Sequence, residues 1–476
     1  MPIASDVLVI GGGLAGSTAA LAAARTGVSV RLVSRATSTF RHASGLVDVL
    51  GYVPGSDGPV VDPFAALSAL GPNHPYSIVG EAAVRDGLDL FDEIVGEEYC
   101  GTHTERNALL PTYGGTVKPT ARYPRSAAAG IASDDRSMLV VGFRSVPAFD
   151  ARVVADHLAA TGVPFSVTGV EVPFPGDFRA DAKLTRYARA LDTDEPLRPA
   201  TAGKAAGGGQ SPEVDGDRTT GVGPATGDGR GTGSKPATGD GRPNGDPVPA
   251  REALAATVTP HLGAAERVGF PALLGDDRHH AVRADLEAAL GCAVFELPMG
   301  PPSLPGRRLE ARIHGALADA GVHVETGVSV VGYESSRVGQ NGDGERIDAV
   351  VVDRTGQHVP YHADQFVLAA GGLVGKGIRS DRGHVFEPIF GCHVPHPENR
   401  YDWFVDDAFG DQPFTRFGVV PDDGLRPLDD RGAPSFANLR AAGAVLGGAA
   451  VAAENSASGV SLATGFVAGE RAGEAV

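Results

Sequence analysis

The chain has 476 residues, 42% of them hydrophobic, at a mean hydropathy of -0.05, which is enough for two or three globular domains. A formal net charge of -17 argues against nucleic acid and against an anionic membrane surface as partners. Lysine occurs only at Lys118, Lys183, Lys204, Lys235 and Lys376, and this acid excess with arginine as the main cation is typical of salt-loving organisms.

Residues 6–16 organise the rest. Val7, Leu8, Val9 and Ile10 form an apolar run suited to a strand buried on both faces. Gly11, Gly13 and Gly16 then fill the G-x-G-x-x-G pattern, and residues 14–25 continue with helical spacing. Gly11 permits a tight turn, Gly13 lets a pyrophosphate approach the backbone, and Gly16 lets the helix pack on the strand. The first turn, through Leu14 and Ala15, points its amide groups at the anion. Glycine-rich turns are common; between a strand and a helix, this one specifies a dinucleotide fold. Residues 28–34 predict the second strand of a βαβ unit. An Asp or Glu usually ends that strand and holds a ribose hydroxyl. Here Ser34 stands there, a weaker ribose ligand, followed by Arg35, which reads as a contact for a phosphorylated ribose or as a solvated arginine.

Residues 40–50 follow, with Ser44 and Gly45 small enough to let the chain pass over a flavin ring. His42 is a base candidate by its pKa, or a surface residue. Helices are expected over 62–70 and 77–95, then a loop over 111–120. Lys118 in that loop reads as an anion ligand or as a solvated lysine. Residues 138–143 predict a strand, 150–161 a helix and 164–172 a strand. Residues 199–249 are dominated by Gly, Pro, Thr and Asp and repeat Pro-Ala-Thr-Gly-Asp-Gly-Arg from Pro224 and from Pro236. Such a segment buries too little apolar surface to offset its chain entropy, and is expected to be a disordered surface insertion.

Helices are expected next over 250–262 and 281–290, a proline-studded loop over 296–309, and a helix over 308–320. Strands follow over 322–325, 329–333, 348–353 and 364–368, with a turn through Asn341 and Gly342. The strand running into Ala370 and Gly371 returns the chain to the dinucleotide sheet. A last strand and glycine turn through Gly443 leads by Ser458 and Gly459 into a helix over 460–474, whose start, at Val460, suits the pyrimidine edge of a reduced flavin. Cys100, Cys292 and Cys392 are too far apart for a disulfide framework or a C-x-x-C metal site. With no secretory leader ahead of the first strand, they fit a reducing cytoplasm.

The chain resembles the B subunit of the anaerobic glycerol-3-phosphate dehydrogenases. The resemblance rests on Gly11 to Gly16, on Ser44 to Asp48, and on Leu297-Pro298 with Pro301-Pro302-Ser303 and Gly306, Arg308 and Leu309. It continues through Glu387 to Gly391, Asp402-Trp403-Phe404, Gln412-Pro413-Phe414, Phe417 to Val419, Leu425 to Pro427 and Gly443 to Gly448. It implies an α/β, Rossmann-like two-dinucleotide-fold flavoprotein with an inserted α+β cap domain. The flavin domain would comprise residues 1–150 and 363–476, and the cap 151–362. The family is usually described as binding FMN, whereas the G-x-G-x-x-G turn favours FAD, whose diphosphate bridge such a turn is built to hold. The resemblance implies two partners, a larger FAD-containing catalytic subunit and an iron–sulfur subunit that anchors the complex to the membrane and feeds quinone. The chain itself would then be cytoplasmic and only peripherally membrane-associated. The substrate implied is sn-glycerol 3-phosphate, for whose phosphate Lys118, Arg308 and Arg416 are the candidate ligands. No acid/base residue and no metal ligand set stands out. A stand-alone FAD oxidoreductase for a small polar substrate, and a non-catalytic flavin-fold scaffold, are the alternatives.

Overall fold

The computed structural model describes residues 3–35, 39–56, 58–176, 178–199, 246–338 and 344–476. The opening follows the apolar pattern: β1 (Ile3–Ile10), α1 (Leu14–Arg25) and β2 (Val30–Ser34), with Val7, Leu8 and Val9 fully buried. The helix α2 (Pro75–Val95) covers the same core. The expected helix over 62–70 is only a 3-10 turn, Ala65–Ala69. The expected loop over 111–120 is a hairpin pairing Ala108–Pro111 with Val117–Thr120.

The chain then builds a second core from residues 132–304. It contains β3 (Met138–Phe143), α3 (Ala151–Ala160), β4 (Val167–Val172), α4 (Leu184–Asp192), α5 (Ala250–Val258), β5 (Arg267–Pro271), α6 (His279–Leu290) and β6 (Ala293–Leu297). The four strands lie in the order β6-β5-β3-β4, every pair parallel. The α+β organisation expected of the cap is therefore replaced there by α/β, because crossover helices such as α3 and α6 return each strand in the same direction. Neither β5 nor β6 is evident in the sequence. Residues 200–245, the bulk of the insertion expected to be disordered, lie outside the described residues, as does the turn at Asn341 and Gly342. The chain on either side of that insertion is joined by a short antiparallel pair, Leu197 to Val248 and Pro196 to Pro249.

From α7 (Leu304–Asp319) the chain returns to the first core, into which Leu309, Ile313 and Leu317 project. The strands β7 (His323–Thr326), β8 (Ser329–Val338), β9 (Gly344–Arg354) and β10 (Gln357–Leu368) follow, then β11 (Leu439–Ala441) and α8 (Ala457–Glu474). The sheet runs β7-β2-β1-β10-β9-β8, with β11 also on β10. Twelve-residue β10 serves two neighbours on one edge: its first half pairs antiparallel with β9, its last residues parallel with β11. Asn438 sits at the change of partner. Its amide accepts from Ile347 N–H and donates to the carbonyls of Ile347 and Asp364, each at 2.9 Å. Fully buried, it satisfies the backbone groups that neither ladder reaches.

The final helix closes the first core. A Cβ at Gly465, Gly469 or Gly473 would lie 2.5 Å from Ala15 O, 2.0 Å from Ala19 O or 2.2 Å from Thr26 Oγ1, so α8 lies backbone to backbone on α1.

Candidate functional site

The C-terminal ends of β1, β2, β10 and β11 converge on the opening glycines, the place where open parallel sheets bind ligands. The three glycines answer to different neighbours. Gly11 has φ +122°, and a Cβ there would lie 2.1 Å from Ala369 O; one at Gly16 would lie 1.9 Å from Gly11 O. Both are dictated by the protein's own backbone. Among the described residues, a Cβ at Gly13 would meet only Thr39 Oγ1, at 3.4 Å. Gly13 is also the N-cap of α1, where no side chain caps the helix and no acid occupies the first turn. Among the described residues, nothing takes up the amide groups and positive end of the helix here, and no atom requires the missing side chain of Gly13. That is what a diphosphate needs.

A cavity of about 150 Å³ adjoins this turn, between β2, β7 and α7, lined among others by Gly12, Ser34, Arg41, Glu310, His314 and Thr326. Ser34 therefore faces the space expected for the adenosine, and Arg35 is solvent-exposed. An acid from another element does line this cavity. Glu310, on α7, is 7% exposed and takes Arg41 Nε at 2.8 Å on Oε2. Sequence reasoning missed it, because 276 residues separate it from Ser34; its sole local sign is an acid on the buried face of a helix. A cavity of this kind suits the adenosine half that FAD has and FMN lacks. Replacing Glu310 with glutamine is expected to weaken FAD binding about tenfold, the loss of one charge-assisted hydrogen bond, and to leave FMN binding unchanged. Titrating both flavins into the apoprotein checks this; an equal loss for both would remove Glu310 from the adenosine site.

The late glycine turns meet the opening one. Gly371 has φ +82°, Ala370 N lies 3.2 Å from where a Cβ at Gly11 would be, and a Cβ at Gly372 would press 2.6 Å against Ala444 O. Gly443 (φ +73°) lies against the first turn of α1, its missing Cβ 2.6 Å from that of Ala15 and 3.7 Å from Ser461 Oγ, and its N–H is fixed by Thr464 Oγ1 at 2.8 Å. Ser44 and Gly45 sit at the start of α7, where a Cβ at Gly45 (φ +80°) would be 2.9 Å from Pro305 Cβ.

At the start of α8 the structure departs from expectation. The helix begins three residues earlier, at Ala457, and its first amides have partners within the chain. Gly459 N–H donates to Asp48 O at 2.7 Å, Ser458 N–H reaches Asp48 Oδ1 at 3.4 Å, and Val460 N–H donates to Ser456 O at 2.9 Å. These three amides are thus not available to a ring edge; the buried carboxylate of Asp48 answers the helix dipole. Lys118 Nζ lies 3.5 Å from Asp48 Oδ2, so the hairpin delivers its lysine to this helix end. Tyr76, buried under Gly459, donates to Val49 O at 2.6 Å, and burial first, then Asp48 and Glu454, push its hydroxyl well above the usual value. Glu454 accepts from Ala450 N–H, Ser456 Oγ and His74 Nε2 at 2.9, 2.9 and 3.1 Å. Burial alone would raise its carboxyl, yet these partners hold it below the ordinary range.

The other two phosphate candidates are engaged elsewhere. Arg308 is bidentate on Glu296, at 2.6 and 3.0 Å, and also donates to Gly275 O. That pair is a buried tie between α7 and the second core, because Glu296 is 1% exposed and a lone charge there would be costly. Arg416 pairs with Asp411 at 2.6 Å; its carbonyl accepts from Gly448 N–H, but its guanidinium faces outward, on an aspartate whose side chain is 75% exposed. His42 is exposed, and all three cysteines are free thiols.

The family described as "FAD binding domain" matches residues 6–462. A relative from Halobacterium salinarum, named as the probable B subunit of an anaerobic glycerol-3-phosphate dehydrogenase, is 53% identical over 476 residues, covering 100% of this chain and 99% of its own. The chain belongs to the B-subunit family of the anaerobic glycerol-3-phosphate dehydrogenases. The family's member from Vibrio cholerae is 29% identical over 489 residues, covering 98% of this chain and 96% of its own. Among solved structures, 3-ketosteroid delta1-dehydrogenase from Sterolibacterium denitrificans aligns over 99% of this chain and 100% of its own, at 12% identity and a TM-score of 0.43. As a member of this oxidoreductase family with an FAD-binding domain along most of its length, the chain is a flavoprotein, and the open face at Gly13 and the cavity at Ser34 fit FAD.

Proposed function

We propose that the chain is the electron-relaying flavoprotein subunit of a quinone-linked anaerobic glycerol-3-phosphate dehydrogenase. A larger FAD-containing subunit and an iron–sulfur subunit at the membrane are its partners. Oxidation of sn-glycerol 3-phosphate to dihydroxyacetone phosphate releases a hydride equivalent and a proton, and bound FAD supplies the acceptor chemistry. The observation that carries the reading is the uncapped first turn of α1 at Gly13, opening toward the Ser34 cavity.

In this reading the amides from Gly13 to Gly16 hold the diphosphate, and Arg41 with Glu310 orients the adenosine. Lys118 supplies the cation at the α8 end, for a substrate phosphate or for the negative charge of a reduced ring. The acids around α8 are engaged: Asp48 by Ser458 and Lys118, Glu454 by His74 and Ser456. Groups so held suit a site that passes electrons better than one that removes a proton. No helix among the described residues is long and apolar enough to cross a membrane, so the reading assigns attachment to the iron–sulfur partner.

The test is to purify the chain alone and with its partners, identify the flavin released by acid, and follow bleaching by sn-glycerol 3-phosphate. FAD in the chain, reduced only when the partners are present, supports the relay. Bleaching of the isolated chain would turn the reading to direct oxidation, and no flavin after reconstitution would overturn both. Lys118→Ala is expected to slow substrate-dependent reduction of the complex about 10- to 100-fold, the loss of one charged contact, with Lys118→Arg recovering most of it. An unchanged rate would take Lys118 out of the site.

A further inference from the structure

We propose that Glu98, His279 and His280 form a divalent transition-metal site of the zinc class, pinning the second core to the first. Glu98 closes the 3-10 turn Gly96–Glu98 that follows α2, and the two histidines open α6. The three are thus brought together from opposite cores, and no residue of the flavin site is among them.

Both imidazoles aim Nε2 at one carboxylate oxygen, Glu98 Oε2, at 3.2 Å from His279 and 2.6 Å from His280. One ligating atom from each residue falls within 4.8 Å of the others. Zinc binds imidazole nitrogen and carboxylate oxygen at about 2.0–2.2 Å, which sets tetrahedral ligands about 3.3 Å apart, so the convergence is of the right size for one ion. The other carboxylate oxygen, Oε1, is held by Arg312 on α7, which fixes the carboxylate with Oε2 toward the histidines. His279 is nearly enclosed and His280 half exposed, at 13% and 45%, leaving a side from which a metal and a completing water can enter. The donor set, two imidazoles and one carboxylate, suits zinc, cobalt or nickel better than calcium or magnesium, which prefer oxygen.

The test uses the full chain, stripped with a chelator and dialysed, titrated with Zn2+ against a competing chromophoric chelator, with thermal unfolding measured alongside. Bound zinc at a stoichiometry of about one, with a raised Tm, is expected, and Co2+ in its place should give the strong visible bands of a low-coordinate site. Glu98→Gln and His280→Ala should each weaken binding at least about tenfold and abolish the thermal shift. His280 is exposed enough for its variant to fold, and flavin content reports that it has. Zinc binding equal in wild type and His280→Ala, or no binding above that of the variants, would overturn the site.

Discussion

Replacing Gly13 with alanine should leave the apoprotein folded and remove its flavin, while Gly16→Ala should cost both. The difference lies in what each new methyl group would meet. At Gly13 it has, among the described residues, only Thr39 Oγ1, at 3.4 Å, so the fold loses little; an open N-cap position tolerates alanine at a cost of about 1 kcal/mol. The methyl group would instead occupy the space through which the diphosphate reaches the α1 amides, and a loss of at least about 100-fold in FAD affinity is expected, nearly 3 kcal/mol. At Gly16 the methyl group would stand 1.9 Å from Gly11 O, and α1 must move off β1. Overpacking of this kind costs about 1–3 kcal/mol and takes the phosphate turn with it. Denaturant unfolding of both apoproteins, with FAD titration, separates the two. A Gly13→Ala protein that binds FAD like wild type would refute the phosphate assignment.

Glu296→Ala should be among the most destabilising single changes in the chain, by about 3–5 kcal/mol, because it strands Arg308 in the interior. Glu296 accepts both guanidinium contacts and the Leu274 N–H at 2.8 Å, and it is 1% exposed. Pairing Glu296→Leu with Arg308→Met should recover most of the loss, since a matched apolar pair strands neither charge. The pair also sets a pH dependence. Burial alone would raise the Glu296 carboxyl, but Arg308, with the Leu274 amide and Ser126, brings it below its ordinary 4.5. A lowered folded value means that the unfolded chain takes up the proton first. The stabilisation is therefore complete above about pH 5 and lost as pH falls through the folded value. Arg308 stays charged throughout, raised by the same partner despite its own burial. Wild type should lose stability on acidification over that window, and Glu296→Gln should show a flatter profile there; equal slopes would assign the acid sensitivity elsewhere.

What could be read in the sequence was what is local. The β1–α1 turn was legible because strand, glycines and helix are consecutive and each obeys its own rule. The strands β5 and β6 were not, since each carries a charge that a strand of the interior would not be given. Arg267, fully buried, donates to the carbonyls of Arg136, Ala129, Ile131 and Asp134 at 2.7–3.0 Å. Glu296 is held by Arg308 and the Leu274 amide. In both cases the partners that make burial acceptable are distant or backbone atoms, to which residue spacing gives no access. The site divides the same way. The glycines and Ser34 were readable from their positions along one βαβ unit. Glu310 in the cavity beside Ser34 and Asp48 on the α8 amides depend on pairings across 269 and 410 residues. Lys118, Arg308 and Arg416 looked alike as cations, and only their partners distinguish them.

The placement of β1 has a consequence for the order in which the fold can assemble. β1 lies far along the chain from what completes it: one flank pairs with residues 361–368, and α1, which covers its turn, packs on α8. Early β2 can pair with β1 at once, and the second core, contained within residues 132–304, can form in the interval. The phosphate turn, however, has no floor until Gly443 and α8 arrive. A chain lacking α8 would therefore carry the whole fingerprint without the helix that packs on α1. Until β10 pairs with it, the apolar run at Val7 to Ile10 remains an open sheet edge, which makes that pairing, rather than encounter with the cofactor, the step that guards it from aggregation.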